Sequence, residues 1–161
     1  LQYVYQNSRR LLHIIDQLLN FRKAESGALP IQVEMCNIEE WFRQIFMLFY
    51  NQTETRNIDY LFHSGIIGTQ FPIDKKYIET ILINLLSNAF KFTPSEGQVT
   101  IRVNTVTQAE CELLPHFPAQ YSSILIEAGY LFIEVIDTGK GFSEQEAEKI
   151  FEPFYLSLIH I

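Results

Sequence analysis

Between Lys75 and Phe92 the chain is apolar at Tyr77, Ile78, Ile81, Leu82, Ile83, Leu85, Leu86, Ala89 and Phe90. Its polar residues gather at Thr80, Asn84, Ser87, Asn88 and Lys91. Spacings of four, three, one and three put those five on one narrow stripe of an α-helix. Asp74 stands at the N-cap position and Thr93-Pro94 marks the end. Most of this helix's surface is apolar and has to be covered, so the rest of the chain must supply elements to cover it.

The patterns from Leu29 onward supply them, while residues 1–25 read as a helix whose own apolar stripe needs a partner helix. Residues 1–25 carry Leu11, Leu12, Ile15, Leu18 and Leu19 at helical spacing, and Gly27 and Pro30 follow. Leu29, Ile31, Val33 and Met35 alternate with polar residues and predict a strand. Trp41, Phe42, Ile45, Phe46 and Phe49 predict a helix from about Ile38 to Gln52. Ile58, Tyr60 and Phe62 predict a second strand. Val99, Ile101 and Val103 predict a third, and Leu131 to Ile136 a buried one. Ser143 and Glu146 form a capping-box signature for a last helix. After the first helix the predicted order is β-α-β-α-β-β-α, an α/β (α+β) two-layer sandwich with helices on one face of a mixed sheet. Residues 104–130 carry no clear pattern. We expect two parts: a helix over 1–26 and a domain over 27–161.

A net charge of −7 argues against a general nucleic-acid binder, which needs a basic face. It permits a phosphorylated nucleotide, for which one or two local cations and some backbone N–H groups suffice. Cys36 and Cys111 share no metal-type spacing and read as reduced thiols. No apolar run reaches the roughly 18 residues of a membrane span. The chain starts at Leu1 and reads as a piece of something larger.

Three segments carry candidate chemistry. The polar stripe of the long helix is either a solvent face or a ligand face. Asn is a poor interior helix former, so Asn84 and Asn88 one turn apart, with Lys91 after them, suit a hydrated divalent metal and a polyphosphate. The run Glu134-Val135-Ile136-Asp137-Thr138-Gly139-Lys140-Gly141-Phe142 is a strand ending in an acidic residue and two spaced glycines. It is either an ordinary turn or a place where Asp137 accepts a hydrogen bond from a ligand that Gly139 and Gly141 let approach. In the run Phe151-Glu152-Pro153-Phe154-Tyr155 the aromatics could equally be core.

Taken together, in this order, the three segments resemble the N-box (Asn84 to Thr93), first glycine box (Asp137 to Gly141) and F-box (Phe151 to Phe154) of sensor histidine kinases, of the GHKL ATPase superfamily. Arg10 to Lys23 also resembles the second dimerisation helix, particularly that of hybrid two-component sensors. The resemblance covers about Leu11 to Tyr155. It implies a Bergerat-type ATP-binding fold preceded by one dimerisation helix, with ATP and Mg²⁺ as ligands. By position it implies that Asn88 holds Mg²⁺, and that Asn84 supports that site and orients the reacting group. Lys91 would contact phosphate, Phe92 pack on adenine, and Asp137 accept the adenine amino hydrogen. Gly139 and Gly141 would hinge a lid that Phe151 and Phe154 anchor. It further implies a protein-histidine kinase that is a homodimer in its full-length form. The γ-phosphoryl group would pass to a histidine and then to a response-regulator receiver domain. The chain would be a cytosolic part of an inner-membrane-anchored sensor, with no direct membrane contact and no nucleic-acid partner.

Two departures from the family pattern stand out. No His sits in a phosphoacceptor context: His13 lies in the second-helix segment, and His63, His116 and His160 fare no better. No second glycine box follows Phe154, and Leu156 to Ile161 does not resemble the usual lid. The chain alone is therefore expected to be inactive. The alternatives are a degenerate or truncated nucleotide-binding or dimerisation module, and an ATPase of chaperone or mismatch-repair type.

Overall fold

In the computed structural model, the structure describes Ile15, residues 30–113 and residues 129–143. The chain divides into two compact units, Leu1–Val33 and Glu34–Ile161. In the first, Ile15 is helical and exposed; the rest of the predicted 1–25 helix lies outside the described residues.

The second unit runs β1 (Glu34–Asn37), α1 (Ile38–Arg56), β2 (Asp59–Ser64), β3 (Gln70–Ile73), α2 (Lys75–Phe92), β4 (Gln98–Val106), α3 (Gln108–Glu112) and β5 (Tyr130–Asp137). Strands β2, β4 and β5 form one mixed sheet in that order. There β2 runs parallel to β4, and β4 antiparallel to β5. Strands β1 and β3 form a separate antiparallel pair.

Local chemistry sets the helix ends. Asn37 caps α1 by accepting from the Glu40 N–H at 3.3 Å, and Asn57 closes it in the left-handed region at φ 52°. Asp74 caps α2 by accepting from the Tyr77 N–H at 3.2 Å. A single core joins Phe42, Ile45 and Phe49 of α1, Leu82, Leu86, Ala89 and Phe90 of α2, and Tyr60, Val99, Ile101 and Val103 of the sheet. Val99, Ile101 and Val103 alternate along β4, so both helices' apolar stripes meet one sheet face. Within it Phe49 stacks on Phe90, and Tyr60 meets Phe90 edge-on. The sole tryptophan, Trp41, packs edge-on against Phe42 at 5.1 Å.

The expected fold class holds, with corrections. Strand β5, expected as a buried strand, is half-buried with Ile136 exposed. The first strand begins at Glu34, not Leu29, because its partner β3 offers only four residues. Its apolar alternation also faces outward: Ile31, Val33 and Met35 are exposed and Cys36 is buried. Strand β3 was not expected: it is four residues long and contains Pro72, which a two-stranded pair tolerates. The short α3, with its Thr107–Glu110 capping box, lies in a stretch that had no readable pattern. The capping-box helix after Ser143 lies outside the described residues.

Candidate functional site

Helix α2 carries the polar stripe on the face opposite Leu82, Leu86, Ala89 and Phe90. Thr80, Asn84, Ser87, Asn88 and Lys91 are all exposed. Thr80 turns its hydroxyl back to the Lys76 carbonyl at 2.8 Å. Among the described residues Asn84 and Asn88 make no side-chain hydrogen bond, so both amides remain available.

The C-terminal end of α2 is held from behind. The guanidinium of Arg56 donates to the carbonyls of Phe90 and Thr93, the latter at 2.5 Å. A cation on the last carbonyls of a helix is favourable for both the hydrogen bonds and the dipole. The turn that follows is tied to the same place: Glu96 N–H donates to the Asn57 carbonyl at 3.1 Å, and Asp59 N–H to that of Gly97 at 2.9 Å. Thr93 is fully buried, and its hydroxyl has no partner among the described residues.

Strand β5 delivers Asp137 to this end of α2. Asp137 pairs in register with Val99. Just beyond it, Thr138 N–H donates to the Gln98 carbonyl at 3.0 Å, while Gln98 N–H donates to Thr138 Oγ1 at 2.8 Å. The strand therefore cannot slide against β4. Asp137 is exposed, and its Oδ1 accepts the Gly139 N–H at 2.8 Å. Its other oxygen has no partner among the described residues. A Cβ on Gly139 would lie 2.6 Å from Asp137 Oδ1 and 3.0 Å from the Phe92 carbonyl oxygen, so this turn is seated on the end of α2 with no room for a side chain. Gly141 adopts φ +65°, which favours glycine.

Strand β5 and helix α2 thus bring together Asp137, Gly139 and Phe92, with Lys91 on the same last turn of the helix and its ammonium 4.9 Å from the Phe92 ring. Asn84 and Asn88 continue up the same helix face. Phe151 and Phe154 lie outside the described residues. His63 is exposed on β2, and the other three histidines lie outside the described residues. Sequence reasoning missed Arg56, whose bonds span 34 and 37 residues, and Lys140, whose ammonium lies 5.7 Å from the Phe92 ring. For Lys140 the signal was present: it is the one cation in the Asp137–Phe142 run.

The arrangement offers two amides, two cations, an aromatic ring and a carboxylate oxygen along one helix face and its end. That donor set suits a nucleotide: a base for the ring and carboxylate, phosphates for the Lys91 ammonium. Comparison with known proteins agrees. Histidine kinase P4 of Formosa agariphila is 28% identical over 158 residues, covering 98% of this chain and 10% of that protein. Hybrid signal transduction histidine kinase D of Dictyostelium discoideum is 29% identical over 154 residues, covering 96% of this chain and 9% of that protein. The chain thus spans about a tenth of the length of these curated relatives. Among solved structures, histidine kinase ThkA in complex with response regulator protein TrrA aligns with a TM-score of 0.65 at 22% identity, over 93% of this chain and 37% of that one. At that identity the likeness is one of fold. A family profile for histidine kinase-, DNA gyrase B-, and HSP90-like ATPases matches residues 73–157, from the end of β3 through α2 and the Asp137 turn. It takes in every part of the site except Arg56, and this chain belongs to that ATPase family.

Proposed function

We propose that this chain is the ATP-binding catalytic domain of a sensor histidine kinase, which transfers the γ-phosphoryl group of ATP to a protein histidine. The observation that carries it is the Asp137 carboxylate fixed at a strand end beside Phe92, with the Asn84–Asn88–Lys91 face next to it. The names of the relatives support the kinase assignment over other ATPases.

Asp137 would accept the adenine amino hydrogen through the oxygen not used by Gly139, and Phe92 would pack on the ring. Asn88 would offer its amide oxygen to Mg²⁺, and Asn84, one turn earlier, would hold the reacting group in line. The donors fit that ion. The exposed Asn88 amide oxygen makes no side-chain hydrogen bond among the described residues, and Mg²⁺ needs only one or two protein oxygens beside phosphate and water. When bound, Mg²⁺ neutralises phosphate charge as the transfer proceeds. In the transfer a histidine nitrogen forms a bond to the γ-phosphorus, the bond to the β–γ bridging oxygen breaks, and ADP leaves. The phosphoacceptor would come from a dimerisation helix in the full-length protein. From there the phosphoryl group would pass to a receiver aspartate, as the partner of ThkA suggests. Homodimerisation and attachment to a membrane sensor belong to the same proposal. Among the described residues no helix is long and apolar enough to cross a membrane.

The test is titration with ATP and Mg²⁺. Asp137→Asn is expected to weaken affinity about ten- to a hundredfold, the worth of a hydrogen bond to a charged acceptor, while leaving the unfolding midpoint unchanged. Unchanged ATP affinity would remove Asp137 from the site and the adenine reading with it.

A further inference from the structure

The site contains a cation that the proposed function leaves unused. Lys140 is exposed, lies just past the end of β5, and places its ammonium 5.7 Å from the centre of the Phe92 ring. The Lys91 ammonium lies 4.9 Å from the same centre. Two ammonium groups from different elements therefore converge on one ring.

Neither lysine has a carboxylate partner among the described residues, where the ion pairs are Arg43–Glu39, Lys75–Glu34 and Arg102–Glu134. In a chain with 19 acidic residues against 12 basic ones, two unpaired cations on one ring mark a place that favours an anion. The backbone fixes this meeting. Gly139 is packed against the Phe92 carbonyl with no space for a side chain, and Gly141 turns at φ +65°, so Lys140 is carried between two constrained residues. The ring face holds the ammonium by cation–π attraction. A base stacking on Phe92 would compete with Lys140 for that face. The displaced ammonium would then lie beside the anionic chain the base carries.

We propose that Lys140 is a second phosphate-binding cation, acting with Lys91 on the polyphosphate of a nucleotide whose base lies on Phe92. The inference rests on the ATP-site reading above. It gives Lys140, together with Lys91, the discrimination between a nucleotide and a nucleoside.

The test compares ATP, ADP and adenosine binding to the full chain by calorimetry, with Lys140→Met, which keeps an unbranched apolar stem and removes the charge. ATP and ADP should bind roughly fivefold more weakly and adenosine unchanged. The loss should shrink as salt is raised, and Lys140→Arg should restore affinity. An equal change for all three ligands would make Lys140 only a cover for the ring and overturn the proposal, as would unchanged ATP affinity. Asp137→Asn separates the two readings, because it should weaken adenosine and ATP alike. If it leaves both unchanged while Lys140→Met acts on ATP and ADP alone, the adenine reading fails and the phosphate contact stands. If the parent chain binds none of the three, both fall.

Discussion

The two long faces of helix α2 are built from one sequence and do opposite work. On one face Leu82, Leu86, Ala89 and Phe90 are buried in the core. On the other, Asn84 and Asn88 are exposed, and their side-chain amides are hydrogen-bonded to nothing among the described residues. The buried face holds the fold through area removed from water. The exposed face contributes little to stability and carries helix formers poorer than Lys or Glu would be. A residue that stabilises nothing and still departs from the best helix former is under a different constraint, here the ligand. Stability and binding should therefore separate by face.

The largest test of that separation is Leu86→Ala. Leu86 is fully buried, and its truncation should cost about 2–5 kcal/mol in urea or thermal unfolding. Nucleotide affinity, scaled to the folded fraction, should stay near that of the parent. A loss below 1 kcal/mol would mean that the core collapses around the gap and that this face is not what holds the helix.

Arg56 sharpens the comparison because it belongs to both sides. It is remote from the ligand face yet fastens the end of α2 that carries Lys91 and Phe92. Arg56→Gln should lower stability by about 1.5 kcal/mol, since its charged donors serve two helix-end carbonyls. ATP affinity should fall as well. Arg56→Lys should recover only part of each, because a single ammonium cannot reproduce the two-pronged donation. A variant that keeps the parent's unfolding midpoint would show that the turn at Thr93–Gly97 holds the helix end unaided.

The smallest expected stability change is at Asn88. Asn88→Ala should alter unfolding by no more than about 0.5 kcal/mol, and in the stabilising direction. It should weaken ATP binding in the presence of Mg²⁺ and leave binding in a chelator unchanged. Equal loss under both conditions would place Asn88 in direct contact with the nucleotide and not with the metal.

Helix α2 was legible in the sequence because its information is local. Asp74 as cap, the narrow polar stripe and Thr93-Pro94 as stop all act within a few residues of themselves. The β4 and β5 strands were legible for the same reason, through alternation and a strong apolar run. What escaped was non-local or chemically ambiguous. Pro72 conceals β3, because a proline excludes a central strand but not a two-stranded pair. The outward face of Ile31, Val33 and Met35 could not be read from alternation, which fixes that two faces differ and not which one is buried. The Arg56 fastening joins residues more than thirty positions apart and leaves no periodic trace. Lys140 is visible between its two glycines, but nothing local to that run marks Phe92, 48 positions earlier, as its neighbour.

The edge-on packing of Trp41 has a practical consequence for spectroscopy. The indole sits in the first turn of α1, whereas Arg56, at the other end of that helix, marks the site end of α2. Fifteen residues of helix separate the two, about 22 Å at 1.5 Å per residue. With a single indole in the chain and that indole in the core, the emission spectrum should follow unfolding and be nearly blind to ligand. Denaturation curves can thus be read by intrinsic fluorescence in the presence of nucleotide with an unchanged native baseline, while the midpoint rises as ligand stabilises the folded state. An optical signal of binding would need a fluorophore introduced near Phe92.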